Sequence, residues 1–382
     1  MRDRCILCGN KFVGEPVFVC HDMPATAQEL LKKEDLENDS PMDLELYQCQ
    51  KCGLVQFDCE PVKYYKDSTR AAERSAGLTK LRQEDYSYFI EKYNLYEKKI
   101  IEIGAGKGGY LRTLKDMKEY KIKEYGIEHN KEYVRIANEI EGVNVFCGDP
   151  EDSDLKLPGA PYDAFMSFSY IQRLVKPNAM IELINKNLVE DGLGYVVIGN
   201  LGHILEKNGF FDVSRDLMAY YSIDTLKLLF EKNNFDVLEC GEKLDYYIYI
   251  IVKKRKKIDL KSKWSFSKNL ILELQKFVFK EKKEDRKVAV WCAGHFAFTV
   301  LSTSKIGNNV SYIIDNAKFK QGYYAPGSKV PIVGVEHYKE EPVDTIIILG
   351  PIYVDEIVSE IKSKLSDKIK IVTFDKTGIR KL

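Results

Sequence analysis

The segment that most restricts the fold is a short apolar run ending in a cluster of glycines. Lys99-Ile100-Ile101-Glu102-Ile103 predicts a buried strand, Gly104-Ala105-Gly106-Lys107-Gly108-Gly109 follows, and residues 110–118 carry a helical pattern. A strand, a glycine-rich turn and a helix in that order open a βαβ crossover, whose helix must pack back onto a parallel sheet. The fold class is therefore α/β, and the middle of the chain continues the pattern. Further strands are predicted at 125–128, 143–146, 162–167 and 194–198, helices at 70–93, 179–189 and 223–233, and closing antiparallel strands at 237–240 and 246–252.

The glycines fit two fingerprints. Gly104, Gly106 and Gly109 match the G-x-G-x-x-G of dinucleotide sites, and Gly104, Gly106 and Gly108 match the G-x-G-x-G of S-adenosylmethionine (SAM) sites; neither alone decides. Glu102 does, because a carboxylate two residues before the first glycine would repel a pyrophosphate but suits SAM, which carries an ammonium and a sulfonium and no phosphate. Glu128 ends the second strand about 20 residues further on, where an acid accepts hydrogen bonds from ribose hydroxyls. Asp149 follows the third strand, where an acid can bind the adenine amino group. Ser167 at the end of the fourth strand completes the expected cofactor set of Glu102, Gly104, Gly106, Gly108, Glu128, Asp149 and Ser167. Tyr170 lies just beyond, at the C-terminal end of a strand, where ligands collect in such sheets.

Cysteines make the second constraint. Six of the nine fall within the first 59 residues, and four form Cys5-Ile6-Leu7-Cys8-Gly9 and Cys49-Gln50-Lys51-Cys52-Gly53. Each C-x-x-C turn aims two thiolates at one ion, and two such turns give the closed tetrahedral shell of a structural zinc site. Cys5, Cys8, Cys49 and Cys52 are the expected ligands, with Cys20 and Cys59 outside the set. No secretory pattern opens the sequence, which favours metal ligation over disulfides and gives a cytoplasmic expectation.

Lys plus Arg and Asp plus Glu both number 58, which argues against a general nucleic-acid footprint and against attraction to anionic membranes. The longest apolar runs are strand-sized, well short of the ~20 residues of a spanning helix. Residues 253–257 form a basic run that reads as a solvated linker. Beyond it a second α/β unit is predicted, with an amphipathic helix near 270–278, a strand at 288–291, a turn Cys292-Ala293-Gly294-His295, a helix at 296–303 and strands at 310–314, 344–349 and 370–374. His295 either donates to an anionic substrate or caps its helix. Three domains are expected: a zinc-binding segment at 1–62, a methyltransferase domain at 63–255, and a Rossmann-like substrate-binding domain at 256–382.

In this order the parts resemble the three-domain sugar C-methyltransferase family. The likeness runs essentially end to end. It rests on the two C-x-x-C-G turns, on Glu102-Ile103-Gly104-Ala105-Gly106-Lys107-Gly108, and on Asp315-Asn316-Ala317-Lys318-Phe319-Lys320-Gln321-Gly322 with Pro326-Gly327-Ser328-Lys329-Val330-Pro331-Ile332. The resemblance implies a zinc domain, a class I SAM methyltransferase domain and a C-terminal Rossmann-like domain, the last two enclosing a nucleotide-linked keto sugar in surface-polysaccharide or deoxysugar biosynthesis. It implies substrate roles for Gly294, His295, Asp315 and Lys320, in a monomer or homodimer.

The departures bear on mechanism. Where the family has a Tyr-His-Glu-His segment, this chain has Ser214-Arg215-Asp216-Leu217 ahead of Tyr220-Tyr221-Ser222, and Arg173 stands where the family has a histidine after the fourth strand. A carbon acceptor needs a base, so Tyr220, Tyr221, Asp216 and Tyr170 become the candidates for it. Arg173 and Arg215 are candidates to clamp an anionic acceptor, against simple ion-pair roles, and Tyr65 either reaches the site or packs. O- or N-methylation of a similar sugar, a non-catalytic SAM or sugar-nucleotide binding protein and a nicotinamide oxidoreductase are the alternatives.

Overall fold

The computed structural model describes residues 3–65, 75–207 and 209–382. The start of the helix expected at 70–93 therefore lies outside the described residues. The chain divides into two compact units, Met1–Lys256 and Lys257–Leu382. The first unit takes in both the cysteine-bearing segment and the domain expected after it.

In chain order the first unit contains β1 (Phe18–Pro24), β2 (Pro41–Gln48), β3 (Val55–Phe57), α1 (Ala76–Lys92), β4 (Lys99–Ile103), α2 (Gly109–Asp116), β5 (Lys123–Glu128), α3 (Lys131–Ile136) and β6 (Val145–Cys147). It continues with β7 (Tyr162–Phe168), α4 (Pro177–Asn187), β8 (Leu188–Gly199), α5 (Leu201–Glu206), β9 (Ala219–Tyr220), α6 (Ile223–Lys232), β10 (Phe235–Lys243) and β11 (Tyr247–Lys254). Seven strands form its main sheet in the order β10-β11-β8-β7-β4-β5-β6. The five from β8 to β6 are parallel, and β10 and β11 add an antiparallel edge. Strand β4 is central and buried, as its near-continuous apolar run requires. Chain order reverses between β4 and β7, which opens a crevice at their C-terminal ends. The loops at that edge run into capped helices: Asn130 caps α3, Asn200 caps α5, and Ser222 caps α6 with Thr225 completing a capping box.

A smaller antiparallel sheet has the order β1-β2-β3-β9. Its fourth strand comes from far along the chain: Val55 pairs with Tyr220 and Gln56 with Ala219. Cys5, Leu7, Cys49 and Leu54 share one core with Ile181, Tyr221, Leu229 and Phe230. The segment expected as a separate domain at 1–62 thus has no core of its own, in keeping with the small apolar content of a segment that short.

The second unit contains α7 (Leu260–Lys283), β12 (Val288–Trp291), α8 (His295–Ser304), β13 (Ile313–Ile314), β14 (Ile332–Val333), β15 (Thr345–Ile348), α9 (Val354–Lys364), β16 (Lys370–Asp375) and β17 (Gly378–Lys381). Its sheet order is β14-β13-β12-β15-β16-β17, parallel but for the last pair. Helix α7 buries Leu274 and Val278 in that core. The helix also carries the buried Glu281, whose carboxylate accepts from Thr345 Oγ1 at 2.7 Å and pairs with Lys370 and Arg286.

The expectation of a solvated linker at 253–257 holds for 255–257, exposed and at the boundary between the units, and needs correction for the two residues before them. Lys253 and Lys254 belong to β11, and Lys254 is buried, its Nζ donating to the Leu188 carbonyl at 2.9 Å. Among the described residues, no helix is long and apolar enough to cross a membrane.

Candidate active site

The glycine turn sits where β4 ends. Gly104 has φ +78, and a Cβ there would lie 2.5 Å from Tyr170 Cδ2; Gly108 has φ +79, and a Cβ there would lie 2.8 Å from Ala137 Cβ. Only glycine meets both demands at these positions. Lys107, the one cation of the turn, rests 5.2 Å from the Tyr133 ring centroid. Glu102 is 5% exposed and, among the described residues, its Oε2 has no hydrogen-bond partner. Burial pushes its carboxyl up to about 7, with Arg82 opposing. Arg82 itself lies 3.3 Å over the Phe168 ring.

The other acids take part in the local architecture. Glu128 is buried; its Oε2 accepts from Gly106 N at 3.1 Å and its Oε1 from Asn130 N at 2.9 Å, so it ties the glycine turn to the start of α3. Asp149 Oδ1 accepts from Glu151 N at 2.9 Å in the loop after β6. Ser167 is fully buried and its Oγ donates to the Ile103 carbonyl at 3.4 Å, so it stitches β7 to β4 and is sealed from any ligand. Tyr170 is 2% exposed, packs over Gly104, and has a hydroxyl without a hydrogen-bond partner among the described residues. Burial, reinforced by the Glu128 charge, drives its phenol far above the ordinary range. Tyr65 donates to Glu151 Oε2 at 2.6 Å and accepts from Val175 N at 2.8 Å, which places it beside the same loops.

These residues fit SAM. An unsatisfied buried carboxylate oxygen is costly unless something donates to it, and the donor's ammonium is such a group.

Beside this crevice, at the C-terminal ends of β7 and β8, lies a cavity of about 590 Å³ whose walls include Gln172, Arg173, Asn200, His203, Tyr220 and Tyr246. Four residues expected at the site have other commitments. Arg173 Nη1 donates to Asp216 Oδ2 at 2.7 Å, so its charge is neutralised rather than offered to an anion. Asp216 also accepts from Ser214 Oγ at 2.6 Å and Gln28 Nε2 at 3.1 Å. Burial would raise its carboxyl, but Arg173 and these hydrogen bonds bring it below the usual range, which makes it a weak base. Arg215 lines the cavity, yet its two terminal nitrogens donate to the carbonyls of Ala25 and Glu60 at 2.5 and 3.1 Å, while its buried Nε has no partner. Tyr220 faces the cavity with its hydroxyl held between Ser214 N and Ser214 O, at 2.9 and 3.3 Å. Tyr221 points the other way. It is fully buried in the core, its hydroxyl has no partner, and it senses the charges of Cys5 and Cys52, so it is removed from any acceptor.

Sequence reasoning missed His203, Asn200, Asp212 and Tyr246. Asn200 and His203 follow β8, Tyr246 follows β10 and Asp212 lies in the turn after α5; a histidine three residues beyond a capping Asn was the available signal.

The four expected metal ligands converge. Their Sγ atoms all lie within 4.8 Å of one another, with Cys5 to Cys52 and Cys8 to Cys49 each at 3.5 Å. Tetrahedral Zn–S bonds of about 2.3 Å put sulfurs about 3.8 Å apart, so the set fits such an ion. Gly9 N and Gly53 N close the two turns onto the carbonyls of Cys5 and Cys49, each at 2.8 Å.

In the second unit, Asp315 Oδ2 accepts from Ala293 N at 2.8 Å and Lys320 Nζ at 3.0 Å, and its Oδ1 from Ala317 N at 2.9 Å. Asp315 and Lys320 therefore brace the turn after β12. Gly294 has open space where a Cβ would stand, and the exposed His295 begins α8.

Two family models match the chain. One, described as a methyltransferase domain, matches residues 76–240; the other, described as a C-methyltransferase C-terminal domain, matches residues 266–374. A search of curated proteins found no match. Similar solved structures include a S-adenosylmethionine-dependent methyltransferase from Clostridium acetobutylicum (12% identity, 50% of this chain and 96% of that one, TM-score 0.39) and a SAM dependent methyltransferase from Aquifex aeolicus (19%, 47% and 99%, 0.37). The plantazolicin methyltransferase BpumL in complex with a triazolic desmethylPZN analog and SAH is another (13%, 50% and 88%, 0.39). With a class I methyltransferase domain followed by a C-methyltransferase C-terminal domain, this protein is a SAM-dependent methyltransferase.

Proposed function

We propose that the enzyme transfers a methyl group from SAM to a carbon of a nucleotide-linked keto sugar, and that zinc fills the four-cysteine site. The observation that carries the reading is the pairing of an acid-rimmed glycine turn with an adjacent cavity of about 590 Å³, large enough for a sugar ring and its neighbours. The C-methyltransferase C-terminal domain supports carbon as the acceptor. Bound SAM supplies an electrophilic methyl group on a good leaving group. The chain's own residues do the positioning: Glu102 takes the ammonium, the backbone of the glycine turn allows close approach, and Glu128 and Asp149 stand toward the ribose and the adenine. Orientation of this kind supplies much of the acceleration in a displacement reaction. The cysteine site, with every thiol directed inward, has a structural role only.

A second reading, transfer to oxygen or nitrogen, draws on Arg173, which stands where the family resemblance calls for histidine, being spent on Asp216. Incubation with methyl-labelled SAM and a panel of nucleotide sugars, followed by NMR of the product, separates the two. A new C–CH₃ group supports the proposal, and a labelled methyl on oxygen or nitrogen refutes it.

A further inference from the structure

We infer that His203 is the base that removes the acceptor's proton; this rests on the reading above that the acceptor is a carbon beside a carbonyl. His203 sits on α5, which leaves the C-terminal end of β8, and its side chain forms part of the cavity wall. Its ring packs against Tyr246, with centroids 4.8 Å apart and planes tilted by 54°. Among the described residues Nδ1 is buried without a hydrogen-bond partner, and Nε2 is the nitrogen left to meet a ligand.

The nearby carboxylates are already engaged. Asp212 Oδ1 accepts from Tyr246 Oη at 2.6 Å, and Asp216 holds Arg173, Ser214 and Gln28. The Asp212–Tyr246 bond in turn fixes the aromatic ring against which the imidazole packs, so a tilted ring contact orients the histidine. The chain's other histidines, His21, His129, His295 and His337, do not line this cavity. Imidazole is the side chain best suited to accept a proton near neutral pH, and here one faces the space beside the glycine turn.

The chemistry balances as follows. The Nε2 lone pair takes the proton from the carbon next to the carbonyl, and the C–H electron pair delocalises onto the carbonyl oxygen. That carbon then bonds to the donor's methyl carbon while the S–CH₃ bond breaks and its electrons leave with sulfur. The proton on His203 passes to water, and the ring is ready for another turnover.

The test uses the full chain and the keto sugar nucleotide that the wild type methylates best. In D₂O with S-adenosylhomocysteine in place of the donor, the wild type exchanges the ring proton beside the carbonyl. His203→Gln, which keeps a polar group near the Nε2 position, loses exchange and methyl transfer by 10²–10⁴-fold while its affinity for S-adenosylhomocysteine stays within threefold. In His203→Gly, added imidazole restores part of the exchange. Exchange at the wild-type rate in both variants overturns the assignment and leaves the carbon-acceptor reading standing. A wild type that methylates oxygen or nitrogen with no ring exchange overturns both.

Discussion

Replacing Glu102 with Gln changes one atom in a side chain that is 5% exposed, and two opposed effects follow. Burial lifts the carboxyl from 4.5 to about 7. The folded chain holds that proton more tightly than the unfolded chain does. Stability from this source is therefore intact below about pH 4.5 and declines as pH rises, until the full cost is reached near pH 7. At 1.36 kcal/mol per tenfold change, the cost is about 3 kcal/mol. Glu102→Gln does not ionise, so without donor it is more stable than the wild type at pH 8, by an amount that vanishes toward pH 4.5. For a unit of this size the gain corresponds to roughly 6–12 °C in Tm. Donor binding moves the other way. The ammonium meets an ionised carboxylate only above about pH 7, so wild-type affinity for S-adenosylhomocysteine rises from pH 6 to 7 and then levels. Loss of a charged hydrogen bond, about 1.5–3 kcal/mol, weakens Glu102→Gln by about 10- to 100-fold and removes the pH dependence. Thermal melts without ligand and calorimetric titrations, both between pH 5 and 8, read the two effects. A variant no more stable than the wild type at pH 8, or one that binds the ligand equally well, refutes the reasoning.

Three other outcomes are expected. Native mass spectrometry finds one zinc per chain and none in Cys8→Ser/Cys49→Ser, and chelation lowers the melting temperature of unit 1–256 because Cys5 and Cys49 lie in its shared core; full stability without metal contradicts this. Arg173→Met leaves the buried Asp216 without its cation and costs about 3–5 kcal/mol in urea denaturation, much of it recovered in Arg173→Met/Asp216→Leu. The Asp216 carboxyl is held low, so its stabilisation is present above its ordinary 3.8 and lost as pH falls further, and the gap between Arg173→Met and wild type narrows in acid. Gly104→Ala destabilises by about 1–3 kcal/mol, since it combines φ +78 with a Cβ 2.5 Å from Tyr170; Tyr170→Ala in the same chain relieves the clash but not the backbone strain.

The features legible in the sequence are those encoded locally. The glycine turn needs positive φ at Gly104 and Gly108, which neighbouring residues alone announce, and the C-x-x-C-G turns close through their own backbone. The features that escaped depend on distant partners. Nothing near Arg173 signals that Asp216 will neutralise it, and nothing near Lys254 signals the Leu188 carbonyl that buries its ammonium. Tyr220 and Tyr221 looked equivalent as candidate bases. Tyr220 ends β9 and Tyr221 follows it; successive side chains of an extended backbone leave on opposite sides, so one meets the cavity and the other the core. His203 was passed over because a single histidine has no pattern, and its value depends on what Asp212 and Tyr246 do around it.

The two-residue strand β9 has a wider consequence. Through Val55–Tyr220 and Gln56–Ala219 it fastens the wall of the cavity beside the glycine turn to the cysteine-rich segment, and Arg215 adds two bonds to Ala25 and Glu60. The first 62 residues are therefore not a detachable module. A chimera that exchanges them without also exchanging 201–222 would misshape the wall of the cavity beside the glycine turn, so the smallest interchangeable part of this enzyme is discontinuous in its gene.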